Sequence, residues 1–421
     1  MKVLVLNYTD AGGGAAIAAY RLAKALVEHG VEAVLGVVEK KSTDDFVVQI
    51  PRKKKKLPAK IFSRVWNLFI RGLGKFKINF NTFKTTNKIF HSTNFKSIID
   101  VNWINDSDFD VVNLHWINND MISIKDISKI RKPIVWTMHD SWPCCGAEHH
   151  PNFLENDTRW KDGYFRSNKP ESTKGKDICR IVYNQKKKYL SEKNITFIAP
   201  SNWEHDVLKS SDLFRSNRCH VVPNILPENE FYKKDKTAIR ELLNIPKDKI
   251  VIGFGAAGQL DDPKSMKGTY YIIESMKKIK NPEKYFLLII GPADSNFTKY
   301  LDLPFFVSGF VSNTSILSCL YNACDMTVNP SLIENLPNMC LESVFCTVPV
   351  VAFDVGGTSD IVKHKINGYL AKPFEVDDMV CGIEFCSENQ IELSKNCPDI
   401  RKKFDNEKVM EEYLKVYESV V

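Results

Sequence analysis

Short apolar runs alternate with amphipathic stretches along most of the chain. KVLVLNY, residues 2–8, has the continuous apolar character of a strand buried on both faces. Residues 14–29 follow with helical spacing. VEAVLGVV, VVNLHW, PIVWTMH and ITFIAPS then repeat the strand pattern up to residue 201. After VVPN at residues 221–224, the polar, proline-containing stretch ILPENEFYKKDK reads as a linker. A second series runs through KIVIGFGA, YFLLIIG, FFVSGF, MTVNPS and VPVVAF. Alternation of this kind predicts parallel sheets built from crossover units. Two series predict an α/β chain of two Rossmann-like, doubly wound domains facing a central cleft, with ligands at the carboxyl ends of the strands. The expected boundaries are residues 1–224, 225–398 and, for a C-terminal helix, 399–421. In that helix Val409, Met410, Tyr413, Leu414 and Tyr417 share a face, and the helix is expected to cross back to the first domain.

Two segments break the pattern. Residues 52–77 begin with Arg52-Lys53-Lys54-Lys55-Lys56 and continue into KIFSRVWNLFIRGLGKFK. Ile61, Phe62, Val65, Leu68, Phe69 and Phe76 fall on one face, with Lys60, Arg64, Asn67, Arg71 and Lys75 opposite. A helix of this kind suits the surface of an anionic membrane. It equally suits a helix packed on the first sheet with solvated lysines, and Gly72 and Gly74 weaken either one. Residues 141–180 are long, polar and without periodicity, which marks a functional loop or disorder. They hold Cys144, Cys145, His149, His150 and Cys179, ligand types that zinc accepts. Their irregular spacing and the lack of a Cys-x-x-Cys pair weigh against a metal site, and none is expected.

Composition narrows the class. The 421 residues, 43% hydrophobic and 26% charged, suffice for two ordinary globular domains. The net charge of +7 is gathered in one segment and offers no basic groove for nucleic acid. Eleven cysteines, several inside apolar stretches, suggest buried thiols in a reducing cytosol, and no signal peptide precedes the first strand. No apolar run is long enough to span a bilayer. The expected location is cytoplasmic, and peripheral on the inner face of the plasma membrane if residues 52–77 bind lipid.

The richest chemistry lies in residues 329–350, NPSLIENLPNMCLESVFCTVPV. Glu334 precedes a helix and Glu342 lies inside it. In one continuous helix the two would stand about 80° apart. Pro337 suits the first helical position and so places Glu334 on a loop, together with Asn335 and Leu336. The two carboxylates can then accept hydroxyls from different parts of one ligand. The N–H groups of Asn338 and Met339 are left free for a phosphate. Near the start, the first strand runs into Asp10-Ala11-Gly12-Gly13-Gly14 and a helix. Such glycines let a phosphate approach the backbone, although a tight turn without ligand reads equally well and the spacing is not GxGxxG. His139 ends the strand PIVWTMH, where it faces the cleft; the alternative is a structural histidine bonded to a loop carbonyl. Asp140 orients that imidazole or caps the next turn. Lys267, after GQLDDPKSM and before Gly268, opens a helix opposite the Glu334 loop, where it can neutralise a diphosphate; a solvated surface lysine is the alternative.

In these residues the chain resembles the retaining glycosyltransferases of family 4, among the group 1 glycosyltransferases, whose two-domain fold is called GT-B. The most specific part is Glu334-x7-Glu342 within NPSLIENLPNMCLESVFCTVPVVAFDVGGTSDIVKHKINGYLA. VVNLHWIN and KPIVWTMHDSWPCCGAEHHPN look most like members that build colanic acid, capsule and exopolysaccharide. The resemblance implies that Glu334 lies at the donor sugar, Glu342 at the ribose and Lys267 at the diphosphate. It makes Gly13 and Gly14 the N-terminal glycine loop and puts His139 on the acceptor side. Glu334, His139 and Lys267 are then the catalytic candidates, with Asn335, Leu336 and Asn338 beside Glu342 as donor contacts. The family's arginine shortly before the lysine is missing from GQLDDPKSMKG; Lys264 stands in as a point charge without a bidentate fork. The family's richer cysteine cluster is thinned to Cys144, Cys145 and Cys179.

The activity so implied is transfer of a hexose or hexose derivative from a UDP- or GDP-sugar to a hydroxyl of a lipid-linked glycan. Retention of configuration, a role in bacterial surface polysaccharide synthesis and independence of metal come with it. Lys267 and the helix N-termini at Gly13-Gly14 and Pro337-Asn338 would stabilise the leaving diphosphate. Asp106, Asp108 and Asp110 have the spacing of a metal-binding Asp-x-Asp, but they sit at the amino end of VVNLHW. A sugar-nucleotide epimerase or hydrolase of the same fold, and a non-catalytic glycan-binding relative, stay open as alternatives.

Overall fold

The computed structural model describes residues 1–53, 83–85, 89–255, 266–293 and 299–421. Most of the basic segment 52–77, and Lys264, lie outside the described residues.

Strands form where the apolar runs stand. The first series comprises β1 (Lys2–Leu6), β2 (Glu32–Val37), β3 (Val47–Gln49), β4 (Phe83–Thr85), β5 (Val111–Leu114), β6 (Ile134–Thr137), β7 (Thr173–Gly175), β8 (Ile195–Ala199) and β9 (Cys219–Val221). The second comprises β10 (Ile250–Phe254), β11 (Tyr285–Ile289), β12 (Phe305–Val307), β13 (Met326–Asn329), β14 (Val350–Phe353) and β15 (Gly368–Ala371). One sheet has the order β3-β2-β1-β5-β6-β8-β9 and the other β12-β11-β10-β13-β14-β15, while β4 and β7 pair antiparallel. At the centre of the sheets β1 runs parallel to β5 and β10 parallel to β13, with Val3 opposite Val111 and Ile252 opposite Met326.

The chain divides into two units. The first holds Met1–Phe197, Val207–Arg218 and Ser419–Val421, and the second holds Ile198–Asp206 and Cys219–Glu418. Each is a Rossmann-like parallel sheet with helices, as the alternation of patterns requires. In both sheets the winding direction reverses beside the first strand of the series, between β1 and β5 and between β10 and β13. The carboxyl ends of those strands are where such sheets hold ligands.

The second unit shows why its strands read as unbroken apolar runs. Val350 and Ala352 belong to one buried cluster, and Val351 and Phe353 to another. Leu288 and Leu287 divide in the same way. Successive side chains point to opposite faces, so a strand covered on both sides must be apolar at every position. In the first unit the Gly14–Glu28 helix turns Ala16, Ala19, Leu22, Ala23 and Leu26 inward. Small alanines on that face let the helix approach β1 and β2 closely.

Some features differ from the sequence pattern. β3, β9 and β15 are short, and β15 opens on a glycine, so no long apolar run announces them. Cys219–Val221 is thus a strand where the sequence suggested only a junction. Residues 141–149 are an irregular loop of turns and bends, as the missing periodicity suggests, but a buried one. Lys186 explains much of this: it is fully buried, and its ammonium donates to the carbonyls of Trp142, Cys145 and Gly146 while lying 3.7 Å from the Trp142 ring centroid. The last helix, Asn406–Glu418, buries Val409, Met410, Tyr413, Val416 and Tyr417, with Leu414 half-buried. Among the described residues no helix is long and apolar enough to cross a membrane.

Phe353, fully buried, lies 5.1 Å from the Tyr271 ring and 5.9 Å from the Phe374 ring. Phe353→Ala is expected to cost about 3–5 kcal/mol. Ile391, 74% exposed, serves as control, and Ile391→Ala should stay within about 0.5 kcal/mol. Urea midpoints read both, and a Phe353→Ala midpoint equal to that of the control contradicts this packing.

Candidate active site

In the second unit the loop after β13 carries Glu334, and the next helix, Asn338–Phe345, carries Glu342. Pro337 is not the first helical residue but the cap, with φ −68° and ψ 112°. Its fixed φ fits the extended backbone there as well as a helix. The shift of one residue makes Asn338 the first helical position, and no side chain caps that end. Its first N–H groups are left for a ligand or solvent.

The Glu334 loop is gripped from two sides. Leu332 N–H donates to the Met266 carbonyl at 2.8 Å, drawing the loop before the Thr269–Lys278 helix against it. Gly268 makes that approach possible: its φ is +73°, and a Cβ there would stand 1.7 Å from the Pro330 carbonyl oxygen. On the other side Gly357 N–H donates to the Glu334 carbonyl at 3.0 Å. Gly356, at φ +57°, would put a Cβ 1.7 Å from the same oxygen. In this frame Lys267 Nζ reaches Glu334 Oε1 at 2.5 Å. The lysine side chain is 42% exposed and the glutamate 16% exposed, so the pair is open to a ligand.

Glu342 is held differently. It is buried, and Tyr321, from the Thr314–Ala323 helix, donates its hydroxyl to Oε2 at 2.8 Å. Asn335 is buried too, its Oδ1 accepting from Ser201 Oγ at 2.8 Å. Asn338 Oδ1 lies 3.5 Å from Asn224 Nδ2. The Leu336 side chain belongs to the apolar core, so a ligand could meet only its backbone.

In the first unit Gly13 caps the Gly14–Glu28 helix without a side-chain hydrogen bond, and no atom lies within 4 Å of a Cβ built on it. Gly12, at φ +94°, makes the turn. Asp10 does not face the helix end: its carboxylate accepts from the N–H groups of Lys41 at 2.8 Å and Ser42 at 2.7 Å. His139 follows β6, and its Nε2 lies 2.7 Å from Nδ1 of His115, which follows β5. Burial pushes His139 down to about 4 and His115 well below its ordinary value. Asp140 does not orient His139. Its Oδ2 pairs with His149 Nδ1 at 2.5 Å and accepts from Trp116 Nε1 at 3.0 Å, while Oδ1 accepts from Trp142 N–H at 3.0 Å. Burial alone would raise the Asp140 carboxyl, but the His149 imidazole and the Trp142 N–H outweigh it and hold it at about 2.

Of Cys144, Cys145, His149, His150 and Cys179, only Cys179 joins a cluster with metal-ligand spacing among the described residues. His91, Glu148 and Cys179 offer atoms within 4.8 Å of one another. The buried Arg159 already lies against this group, 3.1 Å from Glu148 and 2.8 Å from Asp157. Burial and the Glu148 charge push the Cys179 thiol well up. A guanidinium therefore supplies the positive charge that these buried carboxylates require.

Within the second unit the structure brings together Lys267 and Glu334, and it carries Glu342 on the Asn338–Phe345 helix that follows the Glu334 loop; within the first unit Gly13 and Gly14 open the first helix and His139 pairs with His115. Tyr321 and His115 were missed by sequence reasoning, and the Gly356-Gly357 turn and Gly268 were seen without their contacts to the Glu334 loop. Of the two missed, His115 alone carried a signal, since it ends a parallel strand as His139 does.

Comparison with known proteins bears on this geometry. Residues 235–404 match the family model described as glycosyl transferases group 1. That stretch is less than half of the chain and contains Lys267, Glu334 and Glu342. An uncharacterized glycosyltransferase of Methanocaldococcus jannaschii is 28% identical over 197 residues, 44% of this chain and 48% of that one. An N,N'-diacetylbacillosaminyl-diphospho-undecaprenol alpha-1,3-N-acetylgalactosaminyltransferase of Campylobacter jejuni is 28% identical over 162 residues, 37% of this chain and 42% of that one. The chain therefore spans less than half the length of these curated relatives. The crystal structure of HepE from Anabaena in complex with UDP-glucose aligns over 100% of both chains at a TM-score of 0.64 and 17% identity. A likeness at that identity speaks for the fold. The two Rossmann-like units are those of GT-B proteins.

Two outcomes follow. Gly356→Ala should lower stability by more than about 1 kcal/mol. Gly30→Ala, also at positive φ (+77°) but with nothing within 4 Å of its Cβ, should cost less. Equal shifts in melting temperature would remove the claimed contact with Glu334. The second outcome concerns pH. His139 is neutral in the folded chain down to about 4, whereas an unfolded histidine takes its proton near 6.5. Between those values the unfolded state binds more protons, so the penalty is absent above about pH 6.5 and grows as pH falls toward 4. His139→Gln should flatten the fall in urea midpoint across that window, and an unchanged slope contradicts the buried neutral ring.

Proposed function

We propose that this chain transfers a hexose or hexose derivative from a UDP- or GDP-sugar to a hydroxyl of a lipid-linked glycan, with retention at the anomeric carbon, in bacterial surface polysaccharide synthesis. The observation that carries the reading is the Lys267–Glu334 pair at 2.5 Å. A cation and a carboxylate share one loop cluster at the carboxyl ends of β10 and β13, inside the stretch that matches the group 1 model. Support for the ligands comes from relatives: the HepE structure holds UDP-glucose, and the Campylobacter jejuni enzyme is named for a diphospho-undecaprenol acceptor.

Breaking the anomeric bond leaves an oxocarbenium-like sugar and a dianionic diphosphate. Lys267 would turn from Glu334 to the diphosphate, and the uncapped N-terminus of the Asn338–Phe345 helix would add its partial positive charge. Glu334, released from the lysine, would accept hydroxyls of the donor sugar. Glu342, preset by Tyr321, would accept the ribose hydroxyls. The leaving phosphate takes the proton of the attacking hydroxyl on the same face, so no enzymatic nucleophile is required. His139 would donate a hydrogen bond to the sugar or the acceptor. In this scheme positive charge comes from side chain and helix, and a divalent ion has no assigned task.

The test is turnover of Lys267→Ala and Glu334→Ala with a panel of UDP- and GDP-sugars and a polyprenyl-diphosphate-linked sugar as acceptor. Each should lose about 10²–10³-fold in kcat. The product anomer should match the donor by NMR, and chelator should leave the rate unchanged. Variants within a few-fold of the parent would sink the assignment of these residues.

A further inference from the structure

His115 and His139 stand side by side at the ends of β5 and β6, rings 4.9 Å apart and tilted by 31°. His115 Nδ1 is 2.7 Å from His139 Nε2, a hydrogen bond that needs one proton between two neutral rings. Only one ring can donate, and the outer nitrogens decide which. His115 is 3% exposed, and its Nε2 is buried with no hydrogen-bond partner among the described residues. His139 is half-buried, and its only hydrogen bond among the described residues is the one to His115.

Two proton placements are possible. If His139 donated, neutral His115 would have to carry its own proton on Nε2, leaving a buried N–H with no acceptor. If His115 donates from Nδ1, its Nε2 is left as a bare lone pair. Buried orphan N–H groups are rarer than under-satisfied acceptors, so the second placement is favoured. A charged form of either ring is disfavoured as well, because burial depresses both.

We infer that His115 is a positioning residue that fixes the tautomer of His139, so that His139 presents Nδ1–H as a donor to an oxygen of the sugar or acceptor. The inference rests on the glycosyl-transfer reading for its ligand but not for its proton geometry. It has a chemical consequence. With Nε2 occupied by His115 and Nδ1 already protonated, His139 has no nitrogen free to take a proton from an attacking hydroxyl. It polarises or anchors an oxygen and leaves the proton to the departing phosphate. Trp116, next in sequence to His115, is bonded to Asp140, so the segment after β5 is fastened at two consecutive residues.

The test uses the full chain labelled with ¹⁵N-histidine and long-range ¹H–¹⁵N spectra, with His139→Gln assigning the signals. The parent should show a protonated Nδ1 and a bare Nε2 at His139. His115→Asn keeps an N–H donor near the place of Nδ1 and should preserve that pattern and most of the turnover. His115→Phe keeps the bulk, loses the donor, and should move His139 toward the Nε2–H form. It should also lower kcat with UDP-glucose by about tenfold, the weight of one hydrogen bond. A parent spectrum with Nε2–H at His139 overturns the inference whether or not any variant folds. An unchanged tautomer in a folded His115→Phe overturns it too. Absence of turnover by the parent with every nucleotide sugar would refute the glycosyl-transfer reading, while the spectra would still decide the proton.

Discussion

Backbone contact on both sides of the 330–337 loop sets the position of Glu334. Gly268 lies under the Pro330 carbonyl, and Gly356 and Gly357 lie against the carbonyls of Glu334 and Asn335. At each of these places a single Cβ would fall inside van der Waals contact. Three glycines from two other segments are therefore spent on bringing main chain to main chain. The result is a loop whose carboxylate is placed by hydrogen bonds from Gly357 and Leu332 rather than by its own side-chain packing. Everything proposed for Lys267 depends on this, because the same approach that seats Gly268 delivers Lys267 to Glu334.

The two glutamates differ in what it costs to move them. The Lys267–Glu334 pair is partly exposed, and such pairs contribute little to stability because water competes for both ends. A weak pair is suited to exchange: in the proposed scheme a diphosphate would draw the lysine away, and donor hydroxyls would replace it at the mostly buried Glu334. Glu342 has no such freedom. It is buried, and separating it from Tyr321 would cost a charge-assisted hydrogen bond in the core. One carboxylate is exposed enough to change partner and the other is set in place, a division that the proposed roles at a reacting sugar and a held ribose would use.

Much of the fold was legible because strands buried on both faces must be apolar throughout, and those runs, from KVLVLNY to VPVVAF, stood out. β3, β9 and β15 escaped because short strands with polar or glycine positions carry no run to see. The glutamate spacing and the proline gave the loop-then-helix division, with the cap one residue from its expected place. Contacts set by tertiary approach had no such signal. Tyr321 comes from another helix 21 positions before Glu342, and nothing local marks it as the partner. Of the two expectations for Asp140, orienting His139 fails and capping the next turn holds: Oδ1 accepts from Trp142 N–H, while Oδ2 goes to His149 and Trp116. Residues 141–180 lacked periodicity because ionic and polar groups, Lys186 and Arg159 above all, organise them in place of an apolar stripe.

The neutral histidine pair bears on how charge is distributed over the chemistry. A protonated imidazole at His139 would need a second cation's worth of desolvation beside His115, which is buried and already depressed. With burial pushing His139 down to about 4, the neutral ring is favoured at neutral pH, so in the proposed scheme His139 would contribute direction and not charge. A neutral N–H bonds an anionic phosphate oxygen more strongly than a hydroxyl oxygen, but it holds a phosphate less tightly than a cationic side chain does. A lysine in the same place would bind a departing phosphate more strongly in the product than in the ground state and slow its release. In the proposed scheme, a mobile charge on Lys267, which Glu334 can reclaim, and an uncharged donor on His139 would let the positive charge follow the diphosphate while the oxygen contact stays constant.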